Sequence, residues 1–204
     1  MATKHGDIEI GKLGNKIYYT WHGRQCERAM PSHVSNPQTE AQQAHRSSFA
    51  LISKLSSYMK EAHLIGLHHM AVREHNSTYA LFRRLNKACF TSDGDIDYPH
   101  VAVSRGPVAG ADILSAVVDA DGRLTVTFAP RGGDASDSLY LFAYSPTLCA
   151  GFLAAPDPRS AGVVSALLPA EWLKTSPTST VLLYSFLQGP RLLTSDSVHW
   201  SLEI

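Results

Sequence analysis

His63, His68, His69 and His75 fall within thirteen residues and form the densest group of possible metal ligands or acid–base groups in the chain. A helix can aim two histidines at one metal only when they are three or four apart. Here His63 to His68 spans five and His69 to His75 spans six, no H-E-x-x-H is present, and Gly66 argues against an unbroken helix. No metal is expected, and these histidines are read as ordinary, partly exposed ones. Covalent catalysis has no better footing: there is no G-x-S-x-G, and Cys26 and Cys149 have only distant histidines. Gly11-Lys12-Leu13-Gly14-Asn15-Lys16 lacks the spacing of a phosphate loop and reads as a tight turn. Asp119, Asp121 and Gly122 give only part of a calcium loop and read as a hairpin turn. The expectation is no enzyme and no cofactor.

The residues best suited to recognition are Tyr18, Tyr19, Trp21, Arg24 and Arg28. Aromatic rings beside arginines anchor protein interfaces, and the same pairing stacks bases and neutralises phosphates in single-strand binders. On a strand, alternate residues share a face, so Tyr19 and Trp21 should point one way and Tyr18 and Thr20 the other.

These residues need a hairpin to hold them. Residues 16–21 are β-branched and aromatic, His22-Gly23 can turn, and 24–30 return, with Pro31 ending the element. From Thr39 the period becomes helical. Thr39 is an N-cap with Gln42 three residues on, Glu40 suits the first turn, and Ala44, Phe49, Ile52, Leu55 and Met59 form an apolar stripe. A second cap, Asn76-Ser77-Thr78, opens a helix over 79–90. After Pro99 the period is two, with strands expected over 100–105, 113–118, 123–128, 139–144, 149–154, 163–168, 181–188 and 198–202. The fold class is therefore α+β: an N-terminal β-hairpin plus helices, followed by an immunoglobulin- or fibronectin-like antiparallel β-sandwich.

The chain has 204 residues, 44% of them hydrophobic, and 18 Lys+Arg balance 18 Asp+Glu. That composition excludes a disordered solvating chain, and no apolar run is long enough to span a membrane. The zero charge is a cancellation: residues 1–90 carry 12 basic and 6 acidic side chains, residues 91–204 the reverse. With the acidic, turn-rich stretch 91–97 between them, the expected division is a basic hairpin and helical module at 1–90, a linker at 91–99 and a sandwich at 100–204. Three unpaired, distant cysteines and the absence of an apolar leader predict a cytoplasmic location, with a surface or phage-like assembly also compatible.

Asn36-Pro37-Gln38-Thr39-Glu40-Ala41-Gln42-Gln43-Ala44-His45-Arg46-Ser47-Ser48-Phe49 resembles the N-P-[RQ]-T-E-A-Q-Q-x-x-R-x-x-F signature of an uncharacterised bacterial family typical of Bacteroidetes. The resemblance extends to Gly11–Asn15, to Trp21 and Gly23, to Ser104-Arg105-Gly106, to the segment at Pro169 and to Ser195-Asp196-Ser197. It implies no activity. A shorter form of the motif in small phage-associated proteins hints at assembly. The chain departs at Gln38, where arginine is usual, and at His45, where glutamine is common, which weakens phosphate or acid binding by the motif. Physically, Asn36 closes an Asx turn before Pro37, Thr39 caps the helix, and Gln42 and Arg46 stand one turn apart, suited to clamping hairpin to helix. Within the motif Asn36, Pro37, Thr39, Glu40, Gln42, Gln43, Arg46 and Phe49 are the residues of interest.

The expected function is a non-enzymatic structural or interaction module, binding a protein partner or itself through the hairpin. Nucleic-acid binding by the basic aromatic module is the first alternative. A small-ligand or carbohydrate-binding sandwich is the second, with Tyr98, Trp172 and Trp200 its only hint, each expected in the core.

Overall fold

A computed structural model describes all residues except 1, 2, 6, 7, 22, 34–37, 92, 131 and 174–179, with residues 3–5, 8, 9 and 130 described by their backbone. The chain forms two compact units, 1–42 and 43–204. The first is an antiparallel meander of β1 (Thr3–His5), β2 (Ile8–Leu13), β3 (Lys16–Trp21) and β4 (Arg24–Ala29), paired in chain order. The expected hairpin is β3–β4, and β1 and β2 are additions to it. Of the stretch 11–16 that reads as a turn, only Gly14-Asn15 turns. Gly14 and Gly23 sit at φ +57° and +75°, a left-handed backbone that glycine adopts without steric cost and that two-residue hairpin turns require.

Four helices follow, the first crossing the 42/43 division: α1 (Glu40–Tyr58), α2 (Lys60–Gly66), α3 (His68–Arg73) and α4 (Thr78–Asn86). Both expected caps form. The Thr39 hydroxyl accepts from the Gln42 amide at 3.3 Å, and the Ser77 hydroxyl from the Ala80 amide at 3.1 Å. Strands follow as two antiparallel sheets. The smaller, in spatial order, is β10 (Val163–Leu167), β6 (Arg123–Pro130) and β5 (Ala111–Val118). The larger is β12 (Val198–Glu203), β11 (Thr180–Gln188), β7 (Ser138–Ser145) and β8 (Ala150–Leu153), with the short β9 (Asp157–Pro158) also on β7.

Strands β7 and β11 explain how these pieces cohere. Their odd-numbered residues Leu139, Leu141, Ala143, Leu183 and Leu187 share a buried cluster with Ile113, Leu124, Val126, Phe128 and Val164 of the smaller sheet. Their even-numbered residues Phe142, Tyr144, Leu182, Tyr184 and Phe186 share a second cluster with Ile52, Leu55, Met59, Leu67, Leu81 and Phe82 of the helices. A strand apolar on both sides needs cover on both faces. Each large side chain so buried contributes about 1.5–3 kcal/mol. A buried ion pair ties the loops beside the sheets: the Arg159 guanidinium donates to the carbonyls of Ala109, Gly110 and Gly132 and lies 2.9 Å from the Asp137 carboxylate.

This shared core moves the division of the chain. The sequence places it at 91–99, with 1–90 as one module; the compact units instead meet at 42/43. Helices α1–α4 share their apolar cluster with the back of the larger sheet, so they belong with residues 100–204. Among the described residues of the 91–99 stretch and its flank, Phe90 bridges Ile96, the Asp97 amide donates to the Cys89 carbonyl at 2.8 Å, and Ile96 and Tyr98 pack on the helical core. Residues 100–105, expected as a strand, make no sheet ladder. Their polar groups are met by side chains instead, as when Asn86 accepts from the Ala102 amide at 2.7 Å and donates to its carbonyl at 2.9 Å.

Candidate functional site

The meander sorts the recognition residues by register. Directly opposed residues share a face, and the pairs Ile17–Arg28, Tyr19–Cys26 and Trp21–Arg24 alternate with Lys16–Ala29, Tyr18–Glu27 and Thr20–Gln25. One face therefore carries Ile17, Tyr19, Trp21, Arg24 and Arg28 together. Tyr18 goes to the other, where Lys16 and Glu27 form an exposed ion pair at 2.9 Å. Sequence reasoning missed two further members. Lys12 opposes Ile17 and joins its face, and alternation along β2 puts Ile10 there too. The signal was available in the alternation Ile8-Glu9-Ile10, obscured by the glycines that follow.

This face is open: Trp21 is 63% exposed, Ile10 49% and Tyr19 39%. Among the described residues of 1–42 none is buried, so this sheet has no core of its own. Its charge is nearly balanced, with five Lys/Arg and four Asp/Glu in 1–42. The basic excess that the sequence assigns to residues 1–90 lies mainly in 43–90, with seven basic side chains against two acidic.

The family-like motif divides between two roles. Asn36 and Pro37 lie outside the described residues. Thr39 caps α1 and Glu40 occupies its first turn, where the helix dipole favours a carboxylate. Gln42, Gln43 and Arg46 are exposed along α1. Phe49 leans into a groove of about 360 Å³ with His45, Ile52, Arg83, Arg84, Lys87 and Phe90 on its walls.

Residues 104–106 and 195–197 meet in a polar knot. The Ser104 hydroxyl donates to the Ser195 carbonyl at 2.6 Å and lies 3.1 Å from the Gly66 carbonyl. The Gly66 carbonyl also accepts from the Thr194 hydroxyl at 2.9 Å. The Asp196 carboxylate accepts from the Gly106 amide at 3.1 Å, and the Ser195 hydroxyl from the Leu187 amide at 2.9 Å. Residues 104–106 and 195–197 are thus drawn together on the end of α2. A Cβ on Gly66 would lie 2.5 Å from the Val103 carbonyl oxygen, so close approach is what holds glycine there.

Of the histidine run, only His63 departs from its reading as partly exposed, and His69 is half-buried. His63 is fully buried, while His68 and His75 are exposed. Among the described residues no group of three or more His, Cys, Asp or Glu could hold a metal ion. His100 Nδ1 lies 2.7 Å from the Asp97 carboxylate, and no serine hydroxyl among the described residues completes a relay with it. Of the three aromatics considered for carbohydrate, Trp172 is buried and Tyr98 packs on the helical core; Trp200 is 37% exposed on β12. Cys26, Cys89 and Cys149 are all free thiols, and burial raises the Cys89 pKa. Among the described residues, no helix is long and apolar enough to cross a membrane.

Residues 8–186 match the model of a family of unknown function, DUF6266. No curated protein matches the chain.

Proposed function

The chain belongs to the family of unknown function whose model covers residues 8–186, and from that premise we propose that it is a non-enzymatic interaction module that assembles with copies of itself. The contact surface is the sheet face bearing Tyr19, Trp21, Arg24 and Arg28; Tyr18, on the opposite face, is outside it. One observation carries this reading: aromatics and arginines lie exposed side by side on a unit without a buried residue among those described. Rings and guanidinium groups of this kind are the residues that dominate interface energies. A sheet without a core gains most of its stability from whatever covers it. The partner surface is the acidic 91–204 region of another copy, which holds 12 acidic and 6 basic side chains. Such a contact joins unlike surfaces and repeats into rings or filaments.

Light scattering over a concentration series should give a mass that rises with concentration and falls with added salt. Trp21→Ala and Arg24→Ala should each weaken assembly about tenfold or more. A mass that stays monomeric throughout, or variants that assemble like the parent, would overturn the reading.

The same face favours single-stranded nucleic acid as a second reading, because Tyr19 and Trp21 lie beside Arg24 and Arg28 on it. It is the weaker one because the three cations on the face, Lys12, Arg24 and Arg28, are few for tracking a phosphate backbone. Binding of single-stranded DNA with a steep salt dependence would favour it over self-assembly.

Two finer points accompany the proposal. The strand order β10-β6-β5 against β12-β11-β7-β8, with β9 also on β7, supports an immunoglobulin- or fibronectin-like sandwich: a three-stranded and a five-stranded sheet share one apolar cluster. The free thiols support a reducing, cytoplasmic setting.

A further inference from the structure

We propose that the groove between α1 and α4 is a binding site for a small amphipathic carboxylate, with the acid held by Lys87 and Arg84 and the hydrocarbon laid on Phe49, Ile52 and Phe90. The inference concerns the second unit alone and does not depend on the sheet face.

The walls have complementary chemistry. Helix α1 presents His45, Phe49 and Ile52 at intervals of four and three, hence on one side of the helix. Ile52 and Phe90 are almost completely buried and form the floor; Phe49, 49% exposed, forms the rim. Opposite stand Arg83, Arg84 and Lys87, and among the described residues no acidic side chain lines the groove. Its volume, about 360 Å³, falls within the roughly 300–1,000 Å³ of ordinary small-molecule sites.

The three cations are not equivalent. The Arg83 guanidinium lies 5.1 Å from the centre of the Phe49 ring, and its Nε donates to the Tyr79 carbonyl at 3.3 Å, so it builds the wall. One Arg84 nitrogen lies 2.7 Å from the Glu74 carboxylate, which holds the side chain while leaving other N–H groups of the fork to bind. Lys87 has no ion pair among the described residues. The C-terminus of α4 supplies a compensating negative end of only about half a charge, so a positive excess remains. A cationic rim above an apolar floor selects one anionic head attached to an apolar body. A phosphodiester backbone would need a continuous track of cations, and a wholly apolar ligand would leave the rim without a counter-charge.

Isothermal titration of the full chain with decanoate tests this, with decanol and acetate as the uncharged and tail-less comparisons. Decanoate should saturate at one per chain, and the other two should bind at least tenfold more weakly. Lys87→Met removes the charge and keeps the stem, and should weaken decanoate about tenfold, in line with loss of a charge-assisted contact. Phe49→Ala should weaken it similarly, and Lys54→Met on the same helix should not. Melting temperatures of the variants report whether each has folded; if Lys87→Met has not, the Phe49→Ala result decides. No saturable binding at millimolar decanoate, decanol binding as tightly as decanoate, or folded variants that bind like the parent would overturn the proposal.

Discussion

His63 is held between the rings of Tyr79 and Phe82, with centroids 4.8 and 5.1 Å away. Its Nε2 donates to the Ser56 carbonyl at 2.9 Å, and Nδ1 has no partner among the described residues. Burial pushes its pKa below the ordinary histidine value, against an opposing pull from the Ser56 carbonyl. The unfolded chain therefore binds a proton on this ring more readily than the folded one. Stability is complete above the unfolded value of about 6.5 and is lost as pH falls below it toward the folded pKa. Half-buried His199 is shifted the same way, again by burial. Urea unfolding measured from neutral pH down to mildly acid pH should show falling stability. His63→Leu should flatten that slope without abolishing it; an unchanged slope would show that His63 does not carry the effect.

At the scale of elements, the break between α2 and α3 is a packing event. A glycine in a helical pattern signals interruption from sequence alone, and Gly66 does end α2. The cause lies elsewhere in the chain: its carbonyl takes hydroxyls from Ser104 and Thr194, and a Cβ there would lie 2.6 Å from the Ser104 Cβ. Gly66→Ala should be destabilising despite alanine's better helix propensity, by about 1–3 kcal/mol as expected for overpacking. Denaturant midpoints would check it, and a stabilised variant would mean that the knot around residues 104 and 194 gives way easily.

At the scale of the whole molecule, the two units differ in kind. Residues 43–204 contain both apolar clusters, while none of the described residues of 1–42 belongs to either. A shortened chain beginning at Thr39, which keeps the α1 cap, should unfold cooperatively with a melting temperature within about 5 °C of the parent, the shift expected for roughly 1 kcal/mol or less in a domain of this size. A much larger loss would show that the meander stabilises the second unit. The same shortened chain should lose self-assembly and keep decanoate binding, which separates the two proposed surfaces in one preparation.

Local chemistry was legible in the residues. Thr39 and Ser77 announce caps, Gly14 and Gly23 announce turns, and the alternation in residues 113–188 announces strands, because each signal acts over a few neighbours. The split of Tyr19 and Trp21 from Tyr18 followed from strand period alone. Partnership between distant segments was not legible. The helices looked as though they belonged with the hairpin ahead of them, and the acidic stretch 91–97 looked like a linker. Yet β7 and β11, apolar on both faces, need helices behind them, and that demand is met across dozens of residues of chain. Burial of His63, the meeting of residues 104–106 with 195–197, and the groove between α1 and α4 arise in the same way. Propensity, capping and period are local and can be read along the chain; apolar burial is nondirectional and depends on which surfaces meet, so folding alone settles it.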